Sequence, residues 1–403
     1  MSPSTVAVVF GTRPEAVKLA PVIEALREQN GVETRIVATA QHRELLDQML
    51  GVFALAPDVD LDLMRPGQTL DEVTARVLAE TGKVLDRMKP ALVIVQGDTT
   101  TVLAASLAAY YRKIPVGHVE AGLRSGDRYA PFPEEANRTL AGHLATLHFA
   151  PTERAASNLR REGVGPASIH VTGNPVVDAV RAILARTQEP EFPFLTASPP
   201  NLPTSKQLVL VTAHRRESFG QPLRDALSAI RRVAESRDDA QFVYPVHPNP
   251  NVRAAVAEVF GSEEVETLGS CEGRAPVPTS QLPNLSTSNI ILIDPLEYIP
   301  FVHLMNRATV LLTDSGGIQE EGTALGKPVL VLREVTERPE AVECGSARLV
   351  GTDTATVAGA LNDLLDGGEA YARMAQPRDV FGDGKAGQRI AEACAGWLRD
   401  PGL

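Results

Sequence analysis

Short apolar runs rich in β-branched residues recur along the chain, each giving way to polar or glycine-rich residues: "TVAVVFG", "TRIVATA", "ALVIVQGD", "IPVGHVEA", "ATLHFAPT" and "SIHVTGN". Continuous apolar runs of this length are the pattern of strands buried on both faces. Between them lie stretches with apolar residues at helical spacing, such as "EAVKLAPVIEALREQ". The pattern predicts a βαβα order and a parallel sheet covered by helices. A second series repeats it: "QLVLVTAHR", "QFVYPVHPN", "NIILIDP", "ATVLLTDSGG" and "KPVLVLREVTERPE". The prolines of "TQEPEFPFLTASPPNLPTSKQ" can continue neither a helix nor a central strand, so this stretch reads as a linker.

The chain is thus predicted to be α/β, with two doubly wound Rossmann-like domains over residues 1–188 and 205–380. A last helix within 381–403 is expected to pack back on the first domain. Open parallel sheets bind ligands beyond the carboxyl ends of their strands, so the domains are expected to face a cleft. Residues 261–289, rich in Ser, Pro and Gly and weakly periodic, are expected to form an irregular surface insertion.

At 403 residues the chain is too long for one ordinary core. A net charge of −11 with dispersed Lys and Arg argues against a nucleic-acid partner, so any anionic ligand must be gripped locally. The longest apolar runs are strand-length and the N-terminus shows no basic-then-apolar leader, which points to a cytoplasmic protein without a membrane partner. Cys271, Cys344 and Cys394 form no C-x-x-C pair, which suggests neither a disulfide framework nor a zinc site.

Candidate chemistry clusters at the strand ends. In "VLLTDSGGIQEEG", Ser315 can cap a helix, Gly316 and Gly317 permit close backbone approach, and the helix dipole favours an anion. Glu321 is oddly placed for a phosphate and better suited to a pair of sugar hydroxyls, which would make the ligand a nucleoside diphosphate. The plainer alternative is that Glu320 and Glu321 only complement the helix N-terminus. "VVFGTRPEAVKLAP" is expected to leave free backbone N–H groups at a helix start, with Arg13 and Lys18 adding charge, or to be an ordinary βα turn. "GDGKAG" matches a dinucleotide fingerprint, but no strand precedes it, so a nicotinamide cofactor is not supported.

Asp98, Glu120 and Glu134, the last followed by Glu135 and Arg138, supply carboxylates soon after successive strands. Acids converging on one site raise one another's proton affinity, which is how a protein obtains an acid and a base near neutral pH. Singly, Asp98 reads as a helix cap, Glu120 as a partner of Arg124, and Glu134 as a first-turn acid. His214 and His247 also stand at strand ends, with no acid or Cys at metal-ligand spacing.

Taken in order, "GTRPEAVKLAP", "AQHRELLDQML", "QGDTTTVLAASLAA", "GHVEAGLRSGD", "PFPEEANR", "VTGNPVVDA", "TAHRRESFG", "DSGGIQEEG", "GKPVLVLREVTERPEAVE" and "FGDG" resemble the non-hydrolysing UDP-N-acetylglucosamine 2-epimerases over nearly the entire chain. The resemblance implies a glycosyltransferase-B-like fold, UDP-N-acetylglucosamine and UDP as ligands, no cofactor or metal, and a homodimer. It also implies anti-elimination of UDP to a 2-acetamidoglucal, followed by re-addition after the proton returns to the other face of C2. That proton is barely acidic, so departure of the leaving group must first build positive charge at C1.

By the same resemblance Asp98, Glu120, Glu134 and His214 are the catalytic candidates, and Arg13, Lys18, Arg138, Leu296, Phe301, Ser315, Gly316, Gly317, Glu321 and Arg338 lie near the substrate. Gln41, His42, Gln68 and His247 match an allosteric patch, although Glu44 stands for a glutamine and Gly67 for an arginine of that pattern. Rival readings are a hydrolysing 2-epimerase, against which Pro14 argues, a 2-epimerase of a UDP-diacetamido-uronic acid, a retaining glycosyltransferase and a nucleotide-sugar sensor.

Overall fold

The computed structural model of the protein describes residues 3–39, 51, 53–65, 67–196, 206–261, 285–287 and 289–400. The chain forms two compact units, residues 1–182 with 381–403, and residues 183–380.

Among the described residues the first unit holds seven strands: β1 (Ser4–Phe10), β2 (Val32–Ala38), β3 (Val59–Asp60), β4 (Leu92–Gln96), β5 (Val116–Val119), β6 (Leu147–Ala150) and β7 (Ile169–Val171). They pair in the order β3-β2-β1-β4-β5-β6-β7, and all pairs are parallel. Central strands carry the longest apolar runs because both their faces are covered: Val6, Val8, Val93 and Val95 are wholly buried. The helices that cover them start where the sequence supplies caps. Thr69 accepts from the Glu72 N–H at the head of Leu70–Met88, and Thr99 accepts from the Val102 N–H at the head of Thr100–Tyr110.

The last helix, Ala386–Arg399, lies in this first unit and packs on Arg13–Arg27. "GDGKAG" is the means of that contact. A Cβ on Gly387 would stand 2.7 Å from the Pro21 carbonyl oxygen, and one on Gly173 would stand 2.9 Å from the Gly382 Cα. The glycines serve close packing of backbone on backbone.

The second unit has β8 (Gln207–Thr212), β9 (Ala240–Pro245), β10 (Leu285–Thr287), β11 (Ile290–Ile293), β12 (Val310–Thr313), β13 (Val329–Val331) and β14 (Ala347–Leu349), in the order β10-β11-β9-β8-β12-β13-β14. Among the described residues only β10 runs antiparallel, against β11. β10 falls inside the stretch expected to be irregular: a short edge strand needs partners on one side only and leaves little periodicity to read. Residues 262–284 and 288 of that stretch lie outside the described residues, as do 197–205 of the linker.

In each sheet the strand order reverses once, between β1 and β4 in the first and between β8 and β12 in the second. Such reversals leave a crevice at the carboxyl ends where ligands of open α/β sheets bind. The turns after β1 and β4 carry Gly11 with Thr12 and Asp98, and those after β8 and β12 carry His214 and Asp314. Among the described residues no helix is long and apolar enough to cross a membrane.

Candidate active site

The turn after β1 is filled from within. Glu15 Oε2 accepts from the backbone N–H groups of Gly11 and Thr12 at 2.8 and 2.7 Å and from the Thr12 hydroxyl at 2.9 Å. Its Oε1 accepts from the Thr99 hydroxyl at 2.5 Å, tying the β1 turn to the β4 turn. The Gly11 and Thr12 N–H groups are therefore occupied: a Glu three residues after the Thr at the helix cap folds back on its own helix start. Burial pushes the Glu15 carboxyl up, against the hydrogen bonds that pull it down. Arg13 opens the helix, half-buried.

Beyond β4 and β5 the acids find partners other than those the sequence offered singly. Asp98 is not the helix cap, a role taken by Thr99; it pairs through Oδ2 with Arg138 Nη2 at 2.5 Å. Glu120 does not pair with Arg124, which binds Glu162 bidentately at 2.7 and 2.6 Å. Glu120 instead receives Lys18 Nζ at 2.6 and 2.8 Å, so the Lys18 charge expected to meet a ligand anion is already engaged. Asn174 Nδ2 adds 3.0 Å to Oε1, and Gln96 Nε2 a short hydrogen bond to Oε2.

The backbone around these acids is held in an uncommon form. Glu120 has φ +63°, a region that non-glycine residues enter at a cost and that is over-represented at functional sites. His118 Nε2 lies 2.7 Å from the Gly97 carbonyl oxygen, joining the strand ends that precede Glu120 and Asp98. Arg138 also meets Glu135 at 3.1 Å, and Glu135 accepts from the Ser125 and Gly126 N–H groups. Glu134 heads the helix Glu134–Leu144 that carries Arg138 and is half-buried.

In the second unit the helix Gly316–Leu325 starts at Ser315, whose hydroxyl makes no capping bond; the expectation that it caps is not met. Its N–H instead donates to the Thr313 hydroxyl at 2.9 Å. Glu320 and Glu321 fall beyond the first turn, so they do not serve as first-turn acids. Glu320 accepts from Arg338 Nε at 3.1 Å, and Glu321 from the Tyr298 hydroxyl at 2.6 Å. A Cβ on Gly316 would stand 2.6 Å from Arg338 Nη1, whereas one on Gly317 would meet nothing within 4 Å. Gly316 thus makes room for Arg338, and the space before Gly317 is open. The first N–H groups of a helix lack intrahelical partners, and with the dipole they favour an anion.

Beside this helix start, Asp314 Oδ2 accepts from the backbone N–H groups of His214 and Arg215 at 2.6 and 2.7 Å. His214 stacks on His247, ring centroids 5.1 Å apart at 9°. Arg338 also stands 3.6 Å from Glu337. Burial would raise the Glu337 carboxyl, but Arg338 and Arg333 outweigh it and hold it at about 2. Leu296 is buried, and Phe301 lies half-buried on the helix Tyr298–Arg307, which also carries Tyr298.

Of the expected allosteric patch, Gln68 accepts from the Arg65 N–H at 2.7 Å in the first unit, and His247 belongs to the second. Gln41 and His42 lie outside the described residues. Among the described residues no group of three or more His, Cys, Asp or Glu is placed to hold a metal ion.

The family model for UDP-N-acetylglucosamine 2-epimerase matches residues 24–395. The chain belongs to the UDP-N-acetylglucosamine 2-epimerase family. The UDP-N-acetylglucosamine 2-epimerase of Escherichia coli strain K12 is 49% identical to it over 387 residues, 96% of each chain. A crystal structure of UDP-GlcNAc 2-epimerase from Neisseria meningitidis bound to UDP-GlcNAc is 42% identical, with a TM-score of 0.85 over 97% of this chain and 99% of that one. The glycotransferase of kitacinnamycin, 13% identical with a TM-score of 0.61, shares the fold alone. This member of the 2-epimerase family accordingly has two parallel-sheet Rossmann-like units of the glycosyltransferase-B type. Glu15, Gln96, Asn174 and Asp314 also stand inside the quoted motifs, but the sequence reading gave none of them a role. Besides the motifs, the signal for these was position: each stands in or beside a turn at a strand's carboxyl end.

Proposed function

We propose that the protein interconverts UDP-N-acetylglucosamine and UDP-N-acetylmannosamine without releasing free sugar. The observation that carries the reading is the set of acids at the carboxyl ends of β4 and β5, Asp98 on Arg138 and Glu120 on Lys18, in a chain 49% identical to a named 2-epimerase. The ligand bound to the Neisseria relative supports the choice of substrate.

In this reading the C1–O bond to the diphosphate breaks with its electron pair leaving on UDP. The Ser315–Gly317 helix start, His214, Arg13 and Arg338 stabilise the departing charge, and Glu321 takes the ribose hydroxyls. Positive charge at C1 then acidifies C2–H, a carboxylate takes that proton, and the C1–C2 double bond of 2-acetamidoglucal forms. A proton delivered to the opposite face of C2 and attack of the UDP oxygen on C1 complete the cycle. Asp98, Glu120 and Glu134 surround the hexose, with Lys18 and Arg138 as their cations. Leu296 and Phe301 flank the uracil. The same reading makes the protein a cytoplasmic homodimer that supplies cell-surface polysaccharide synthesis.

The test is product identity. Incubation with UDP-N-acetylglucosamine, followed by anion-exchange chromatography and NMR, is expected to yield UDP-N-acetylmannosamine at equilibrium. Free N-acetylmannosamine with stoichiometric UDP would assign the hydrolysing reaction instead.

A further inference from the structure

Glu120 is saturated in a way that Asp98 is not. Lys18 Nζ reaches both of its oxygens at 2.6 and 2.8 Å, Asn174 Nδ2 donates to Oε1 at 3.0 Å, and Gln96 Nε2 donates to Oε2. The Glu120 side chain is 5% exposed. An added proton on either oxygen would face a donor in place of an acceptor, and buried hydrogen-bond donors deprived of an acceptor are costly. Asp98, by contrast, meets Arg138 through Oδ2 and keeps its side chain 29% exposed.

We propose that Gln96 and Asn174 are positioning residues that, with Lys18, hold Glu120 as a fixed anion, leaving proton transfer at C2 to Asp98 and Glu134. The inference rests on the 2-epimerase reading and divides the labour within it. A fixed anion favours the positive charge that develops at C1 as UDP departs, a charge stabilisation that needs no proton movement. Asn174 suits this role because its two ends are separately employed: Nδ2 serves Glu120 while Oδ1 accepts from the Val176 N–H at 3.2 Å. Gln96 ends β4 and is buried, so its amide cannot turn to water.

Asn174→Asp keeps the acceptor for Val176 and turns the donor into an oxygen facing Glu120. Its kcat above neutral pH is expected to fall about 10- to 100-fold, a loss typical of a displaced catalytic group, with KM changed far less. Activity is expected to recover on acidification, when the new carboxyl can donate again. Gln96→Glu should behave alike, while Asn174→Leu should lose activity at every pH without recovery. An Asn174→Asp profile parallel to that of the wild type or of Asn174→Leu would overturn the proposal.

A second measurement does not depend on turnover. The side-chain carboxyl carbon of Glu120, assigned in ¹³C spectra by difference from Glu120→Gln, is expected to keep the carboxylate shift across the assay range. Titration of that carbon within the range would refute the fixed anion even if the protein proved to have another activity. Absence of any turnover by the wild type, with the Glu120 carbon invariant, would instead count against the 2-epimerase reading alone.

Discussion

Asp314 and His214 are joined twice: the carboxylate accepts the His214 backbone N–H at 2.6 Å, and its other oxygen stands 3.4 Å from the ring Nδ1. The carboxylate thus sets both the position of the chain after β8 and the face the imidazole presents. Because Asp314 is 1% exposed and also accepts from the Arg215 N–H, no water can replace it. Asp314→Asn can keep an oxygen toward the two N–H groups, but its NH₂ would then confront Nδ1 and select the other ring tautomer. The variant is expected to fold and to lose about 10- to 100-fold in kcat through misplacement of His214, read by steady-state kinetics beside a melting curve.

Gly316 and Gly317 are neighbours with opposite sensitivities. A methyl on Gly316 would overlap Arg338 Nη1 at 2.6 Å and push the guanidinium off the helix start. Gly316→Ala should weaken UDP binding by about tenfold, or 1.4 kcal/mol, in calorimetric titration. Among the described residues a methyl on Gly317 meets no atom within 4 Å, and the residue is helical, so Gly317→Ala should raise unfolding stability by about 0.5 to 1 kcal/mol.

The division between what could be read from the sequence and what could not follows the range of the interactions. Buried parallel strands declare themselves as apolar runs, and β1, β4, β8 and β12 do so plainly; of the two- or three-residue edge strands, β3, β10 and β14 do not, while β7 shows as "SIHVTGN". "DSGG" announces a helix start because cap and dipole act within a few residues. The partners of the acids were hidden, since Lys18 and Glu120 are 102 positions apart and Thr99 and Glu15 are 84 apart. Arg124, four residues from Glu120, was the natural local guess and is engaged elsewhere. Asp314 stood inside a recognised motif, yet its task depends on backbone atoms 99 and 100 residues away.

Acid sensitivity has a source in the first sheet. Burial, with His118 and Arg124 nearby, lowers the His148 imidazole from 6.5 to about 4. Above pH 6.5 the folded and unfolded chains are both neutral at this group and nothing is gained or lost. Below it the unfolded chain takes up a proton that the folded chain refuses until about pH 4, so stability falls through that window, by up to about 3 kcal/mol. His148→Asn should show a shallower loss of stability than the wild type between these pH values in denaturant titrations. An unchanged slope would assign the acid sensitivity to other groups.

The proposed elimination is tested most directly at the C2 proton. With UDP-N-acetylglucosamine in deuterated water, proton NMR is expected to show deuterium entering C2 of both UDP-sugars, and Asp98→Asn is expected to abolish that exchange. Epimerisation that leaves the C2 proton in place, or exchange undiminished in Asp98→Asn, would contradict proton transfer by Asp98.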